Sequence, residues 1–165
     1  MKVRMPWRRA CSGPGSVFDR ALQISGMDAP PGTHRQPASP RPTILFVDDD
    51  EDLREAFRDL VSSLRLGECV TAGSLAELEA RGPAALTCSL AILDLNLGPK
   101  AASGIDVYRW LERARFAGRV VFLTGYGPED PLVQEAARVN VARTLSKPIH
   151  AAALVALAAE AREPR

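Results

Sequence analysis

The chain has 165 residues, 25% of them charged, and a formal net charge of +1; this allows one ordinary domain with its own core and gives no bulk attraction to a polyanion. Cys11, Cys69 and Cys88 are odd in number and lack the close spacing of a metal knuckle or a redox pair, so idle thiols in a reducing cytosol are expected. No run approaches the roughly 18 apolar residues of a membrane span, and the charged N-terminus has no apolar signal core, so the sequence predicts a soluble, cytoplasmic protein.

Residues 1–42 carry Lys2, Arg4, Arg8, Arg9, Arg20, Arg35 and Arg41 against Asp19 and Asp28, which leaves the remainder acidic. Residues 28–42, DAPPGTHRQPASPRP, are too rich in Pro for a helix or a central strand, and residues 1–42 are predicted to be a disordered tail. Met27, just ahead of the Pro-rich segment, offers a second start. Basic residues without interleaved aromatics predict no nucleic-acid contact for this tail.

From Thr43 onward, apolar runs suited to strands alternate with amphipathic helical patterns, which predicts βα units and a parallel sheet over residues 43–162. Residues 43–47 form the first strand, apolar throughout as in a strand covered on both faces. A helix follows over about 51–65, with Leu53, Ala56, Phe57, Leu60, Val61 and Leu64 at helical spacing and Gly67 as its stop. A short strand at 69–72 leads to Ser74 and Glu77, spaced as a capping box for a helix that ends near Gly82 and Pro83. The third strand, 90–93, runs into Asp94; LNLGPKAASG reads as a loop, and Ile105, Tyr108 and Leu111 mark a helix ending by Gly118. A fourth strand, 120–123, runs into Thr124, and the next helix is predicted to begin near Pro128. A brief fifth strand at 141–145, Lys147-Pro148, a helix over 151–162 and a short tail of 163–165 complete five βα units.

In a parallel sheet the C-terminal strand ends share one edge, where ligands bind. Here that edge collects Asp48, Asp49 and Asp50 after strand one, Asp94 after strand three, Thr124 after strand four and Lys147 after strand five. Several carboxylates in one crevice repel one another unless a cation lies among them, and hard carboxylate oxygens select Mg²⁺ or Ca²⁺. Each residue alone has a plain structural reading: Asp94 as a cap, Thr124 as a strand-end Thr, Lys147 as a surface cation. The chain nevertheless has only three lysines among its many arginines.

This order of motifs, over about residues 42–162, resembles the receiver domain of bacterial two-component response regulators. The resemblance implies a flavodoxin-like α/β fold, a doubly wound sheet of order 2-1-3-4-5 with five helices. It implies Asp94 as phosphoacceptor, Asp48 and Asp49 as the Mg²⁺-binding pair together with Asp94, and the backbone carbonyl of Asn96 as a further ligand. Thr124 and Lys147 would contact the phosphoryl oxygens, and the Lys147-Pro148 bond would be cis. Partners implied are a sensor histidine kinase or histidine phosphotransfer protein and a downstream protein. Such a module is a phosphoacceptor without separate substrate turnover. Asp50 and Asp52 have a simpler role as acids at a helix start, and His34 and His150 read as incidental.

Two departures matter. Receivers usually carry an aromatic switch residue three positions before the lysine, and this chain has Thr144 there. VVFLTGYG resembles the segment of the FATGUY group of single-domain receivers, where that aromatic is also missing, and Tyr126 with the loop 125–128 is then expected to take over part of the coupling. The loop between Asp94 and Gly104 is also about two residues longer than the usual pattern. No output domain is expected after the last helix. HAAALVALAAEAREP is apolar around much of its circumference, which suggests a homodimer or partner contact through the fourth helix, fifth strand and fifth helix. Two alternatives are a receiver fold that binds partners unphosphorylated and a haloacid dehalogenase-like phosphatase using Asp48 and Asp50, with Thr124 and Lys147. The second gives Asp94 no role.

Overall fold

The computed structural model describes residues 41–99, 101–139 and 143–163. The expectation of a disordered tail over 1–42 falls, as far as residue 40, outside the described residues. Pro42 is buried, and its carbonyl accepts the Glu68 amide at 3.3 Å.

Among the described residues five strands alternate with helices: β1 (Thr43–Val47), α1 (Glu51–Ser63), β2 (Glu68–Ala72), α2 (Leu75–Arg81), α3 (Pro83–Leu86), β3 (Leu90–Asp94), α4 (Gly104–Arg113), β4 (Arg119–Thr124), α5 (Pro131–Arg138), β5 (Arg143–Ser146) and α6 (Ala151–Glu160). The strands are all parallel, in the order β2-β1-β3-β4-β5. That is the doubly wound, flavodoxin-like arrangement the resemblance implied, with six helices among the described residues in place of five. The extra helix is the single turn α3, which Pro83 starts at a first-turn position right after Gly82.

The strands read as continuous apolar runs because both faces are covered. Leu45, Val47, Ala91, Leu93, Val120 and Phe122 point to one core, shared with Leu78, Ile105, Tyr108, Leu111 and Ala136 of α2, α4 and α5. The alternate residues Ile44, Phe46, Leu90, Ile92, Val121 and Leu123 point to the other, closed by Phe57 and Val61 of α1 and Leu154, Leu157 and Ala158 of α6. Phe46 and Phe57 stack there with ring centroids 4.0 Å apart.

Several local expectations are corrected. Helix α1 is stopped by Arg65 rather than Gly67: Arg65 adopts φ 53°, its amide donates to Ser62 O and the Leu66 amide to Val61 O, a left-handed double-bonded helix end. Arg115, at φ 59°, ends α4 in the same way. At α2 only half of the expected capping box forms. Ser74 accepts from the Glu77 amide, while the Glu77 carboxylate reaches past Ser74 to the Gly73 amide at 2.6 Å. A complete box, Ser103 with Asp106, opens α4. Helix α5 begins at Pro131, not near Pro128, because Asp130 supplies the cap that accepts the Leu132 amide.

Candidate functional site

The C-terminal edge of the sheet collects the site. Asp48 follows β1 directly, fully buried, with its amide donating to Ala72 O on β2 at 3.1 Å. Its Oδ1 accepts the Asp50 amide at 3.1 Å, which turns the chain toward α1. Asp49 is exposed beside it, and the Asp50 side chain is spent as the cap of α1, accepting the Asp52 and Leu53 amides. Of the acids after β1, Asp48 and Asp49 have carboxylate oxygens near Asp94, while Asp50 caps α1 and Glu51 and Asp52 stand in its first turn.

Asp94 is the last residue of β3 and is 5% exposed. The Leu95 amide donates to Leu123 O, which ties the strand end to β4. Gly104, at the start of α4, packs against it so closely that a Cβ would overlap the Asp94 carbonyl oxygen. Thr124 ends β4, buried, with its Oγ1 accepting the Tyr126 amide at 3.0 Å and its carbonyl accepting the Lys147 amide at 2.7 Å. Lys147 follows β5, and the Lys147-Pro148 bond is cis as expected. Its Nζ donates to Asp48 Oδ2 at 2.7 Å and to Asp94 Oδ2 at 2.9 Å, so one ammonium bridges residues 99 and 53 positions away.

Among the described residues, the Lys147 ammonium bonds two of three clustered carboxylates. Oxygen atoms of Asp48, Asp49 and Asp94 lie within 4.8 Å of one another, an oxygen-only donor set suited to a hard divalent cation such as Mg²⁺. Burial pushes the Asp94 carboxyl above its ordinary value, against the hydrogen bond and charge of Lys147, and the charge of Asp48 adds to the rise. Burial alone would depress the Lys147 ammonium, but hydrogen bonds to Asp48 and Asp94 and their charges raise it. A further cation among the acids would relieve the strain on Asp94; the residues fit that role.

Asn96 stands two residues beyond Asp94, and its amide approaches Asp94 Oδ1 at 3.4 Å. Its side chain was not foreseen as a contact: Nδ2 donates to the Tyr126 hydroxyl at 2.8 Å. Tyr126 is 47% exposed and lies across the mouth of the edge from Asn96. No sequence spacing relates two residues on different loops, so only the fold could show this pair. Thr144, at the usual switch position, is half-buried in β5. His150 is exposed ahead of α6 and caps nothing with its side chain, and His34 lies outside the described residues. Cys69 and Cys88 are free, and burial pushes both thiols up to about 11, which disfavours the thiolate.

A parallel sheet of this order, with three acids, a Thr and a Lys gathered on its C-terminal edge, defines the flavodoxin-like class of α/β modules. Within that class the chain belongs to the response regulator receiver domain family, which it matches over residues 44–159. It is 36% identical over 114 residues to the photosynthetic apparatus regulatory protein RegA of Rhodovulum sulfidophilum, covering 67% of this chain and 57% of that protein. The chain thus spans little more than half the length of that relative. Among solved structures it resembles a receiver domain protein of Clostridium thermocellum, at 26% identity and TM-score 0.62 over 73% of this chain and 94% of that one. The receiver domain of NtrX from Brucella abortus is similar at 26% identity and TM-score 0.61, over 74% and 99% of the two chains. The protein is a response regulator receiver domain of two-component signalling, and the phosphatase alternative is set aside: Asp50, which it required, caps α1. Among the described residues no helix is long and apolar enough to cross a membrane.

Proposed function

We propose that Asp94 accepts a phosphoryl group from a phosphohistidine of a sensor kinase or phosphotransfer protein, and that the chain signals through protein contacts rather than by substrate turnover. The observation that supports this most is the Lys147 bridge between Asp48 and Asp94, which gathers three strand ends around one carboxylate. In the transfer, a carboxylate oxygen of Asp94 attacks phosphorus, an Asp94 O–P bond forms and the P–N bond to the imidazole breaks, with the electron pair leaving on nitrogen. Water later attacks the same phosphorus, the Asp94 O–P bond breaks, and Asp94 returns to a carboxylate as inorganic phosphate and a proton are released. Charge on the transferring oxygens must be met in place. Lys147 would release part of its hold on Asp94 and turn its Nζ to one oxygen, and the Thr124 hydroxyl would donate to another. Asp48, Asp49, Asp94 and the Asn96 carbonyl would hold Mg²⁺, which supplies the remaining positive charge.

The test is acetyl phosphate labelling in Mg²⁺, read by intact mass. Wild type should gain one phosphoryl group, and Asp94→Ala none; undiminished stoichiometric labelling of Asp94→Ala would sink the assignment. A receiver that binds partners unphosphorylated is the second reading, supported by Thr144 at the switch position. We further propose that Tyr126 carries part of the coupling, because its hydroxyl is held by Asn96 and its amide by Thr124. When Thr124 turns toward a phosphoryl group, that amide loses its acceptor. Tyr126 resonances should shift on beryllofluoride binding, and unchanged shifts would reject the coupling. A contact surface formed by α5, β5 and α6, the counterparts of the fourth helix, fifth strand and fifth helix in the sequence reading, fits the exposure of Val155; light scattering with and without beryllofluoride distinguishes a dimer from a hetero-partner.

A further inference from the structure

Arg54 stands near the start of α1, just after Glu51 and Asp52, where the helix dipole disfavours a cation. Its guanidinium turns back to the strand end instead. Nη1 donates to the carbonyl oxygen of Asp48 at 2.7 Å and to that of Asp49 at 3.0 Å. Among the described residues no carboxylate comes within ion-pair distance of this side chain. The guanidinium therefore acts on the backbone of the acidic turn, rather than as the partner of a single acid.

The seat of this guanidinium is built by a second loop. Gly73, directly after β2, lies against it, and a Cβ there would stand 2.9 Å from Nη1. Glu77 fixes that loop by accepting the Gly73 amide at 2.6 Å. The turn from Asp48 to Asp50 is thus held from three sides: by Ala72 through the Asp48 amide, by Asp48 Oδ1 through the Asp50 amide, and by Arg54 through the Asp48 and Asp49 carbonyls.

We propose that Arg54 is a positioning residue for the cation site of Asp48 and Asp49. The inference rests on the Mg²⁺ reading above. Two effects oppose each other. Clamping the carbonyls fixes the direction in which both carboxylates project and tightens cation binding, while the positive charge of Arg54 weakens it. Solvent screens the charge of a partly exposed guanidinium. Outer partners that orient metal ligands are worth about 10- to 100-fold in affinity, so positioning outweighs repulsion.

The experiment is Mg²⁺ titration of the full chain by calorimetry, for wild type, Arg54→Met, Arg54→Lys and Gly73→Ala. Arg54→Met should bind Mg²⁺ about 10-fold more weakly, and Arg54→Lys should recover part of the loss because an ammonium can reach the same carbonyls. Gly73→Ala keeps the guanidinium but crowds Nη1, and weakens binding in the same direction. Acetyl phosphate labelling of Arg54→Met should need more Mg²⁺ yet reach the wild-type extent at saturation. In EDTA, amide exchange at residues 48–50 should quicken in Arg54→Met while the core amides stay protected. Wild-type or tighter Mg²⁺ affinity in Arg54→Met overturns the proposal, and so does a labelling loss that saturating Mg²⁺ leaves in place. If wild type itself binds no Mg²⁺, the metal reading fails, and the exchange measurement in EDTA still decides whether the clamp exists.

Discussion

The two halves of the C-terminal sheet edge differ in how tightly they are determined. On the β1 and β3 side, Asp48 and Asp94 are buried, share one ammonium, and have a glycine pressed against the Asp94 carbonyl. On the β4 and β5 side the loop is open: nothing lies within 4 Å of a Cβ on Gly125, and Tyr126 is half-exposed. Buried charges tolerate little freedom, because a displaced partner leaves a carboxylate uncompensated. A surface that must change when the site is loaded needs the opposite, few contacts and low local stability. The proposed chemistry at Asp94 and the proposed readout at Tyr126 would therefore lie on neighbouring strand ends with contrasting packing.

The contrast can be broken most directly at its centre. Lys147→Met leaves Asp48 and Asp94 buried without their cation, and should destabilise the protein in EDTA by about 3 kcal/mol in urea unfolding; Mg²⁺ should restore part of it. The raised ammonium pKa means that this contribution is complete at neutral pH, below the unfolded value for lysine, and is lost only as alkaline pH passes the still higher folded value. An Lys147→Met protein as stable as wild type would show the two acids to be solvated rather than paired.

A matched pair of substitutions compares the two sides. Gly104→Ala inserts a methyl group into the Asp94 carbonyl and should cost about 2 kcal/mol, with labelling impaired because the strand end must move. Gly125→Ala meets open space and should change stability by less than about 1 kcal/mol. Equal costs at the two positions would erase the distinction.

A smaller effect of opposite sign is expected at Asp94. Its folded pKa is raised by burial, so ionisation costs stability: the penalty is absent below the unfolded carboxylate pKa and complete above the folded one. Asp94→Asn removes the penalty. In EDTA it should raise Tm at neutral pH, with the gain shrinking as pH falls through the Asp94 pKa. A lower Tm at neutral pH would mean that the bond to Lys147 outweighs burial.

Much of the fold was legible because its periodicities are local. TILFV, LAIL and VVFL are continuous apolar runs bounded by polar residues, and Ile105, Tyr108 and Leu111 keep helical spacing, so β1, β3, β4 and α4 followed from pattern. The helix ends were less legible. Arg65 and Arg115 take a left-handed conformation that favours glycine, and no local signal marks an arginine for it. Pro128 and Pro131 are equivalent as helix starters, and the Asp130 side chain decided between them. Arg54 did leave a signal, a lone cation early in an acid-rich helix start, but its target carbonyls come from the preceding turn and its seat from Gly73 in the loop after β2.

By itself the sequence determined the order of the strands along the chain, the buried apolar runs and the set of acids, Thr and Lys at the strand ends, because each depends on residues close in sequence. Only the tertiary structure decided that one ammonium serves both Asp48 and Asp94, that Asn96 holds Tyr126, and that Arg54 clamps the acidic turn. These contacts join residues from separate strands and loops, and their distances are fixed by how the sheet twists and the helices pack, which no local spacing encodes.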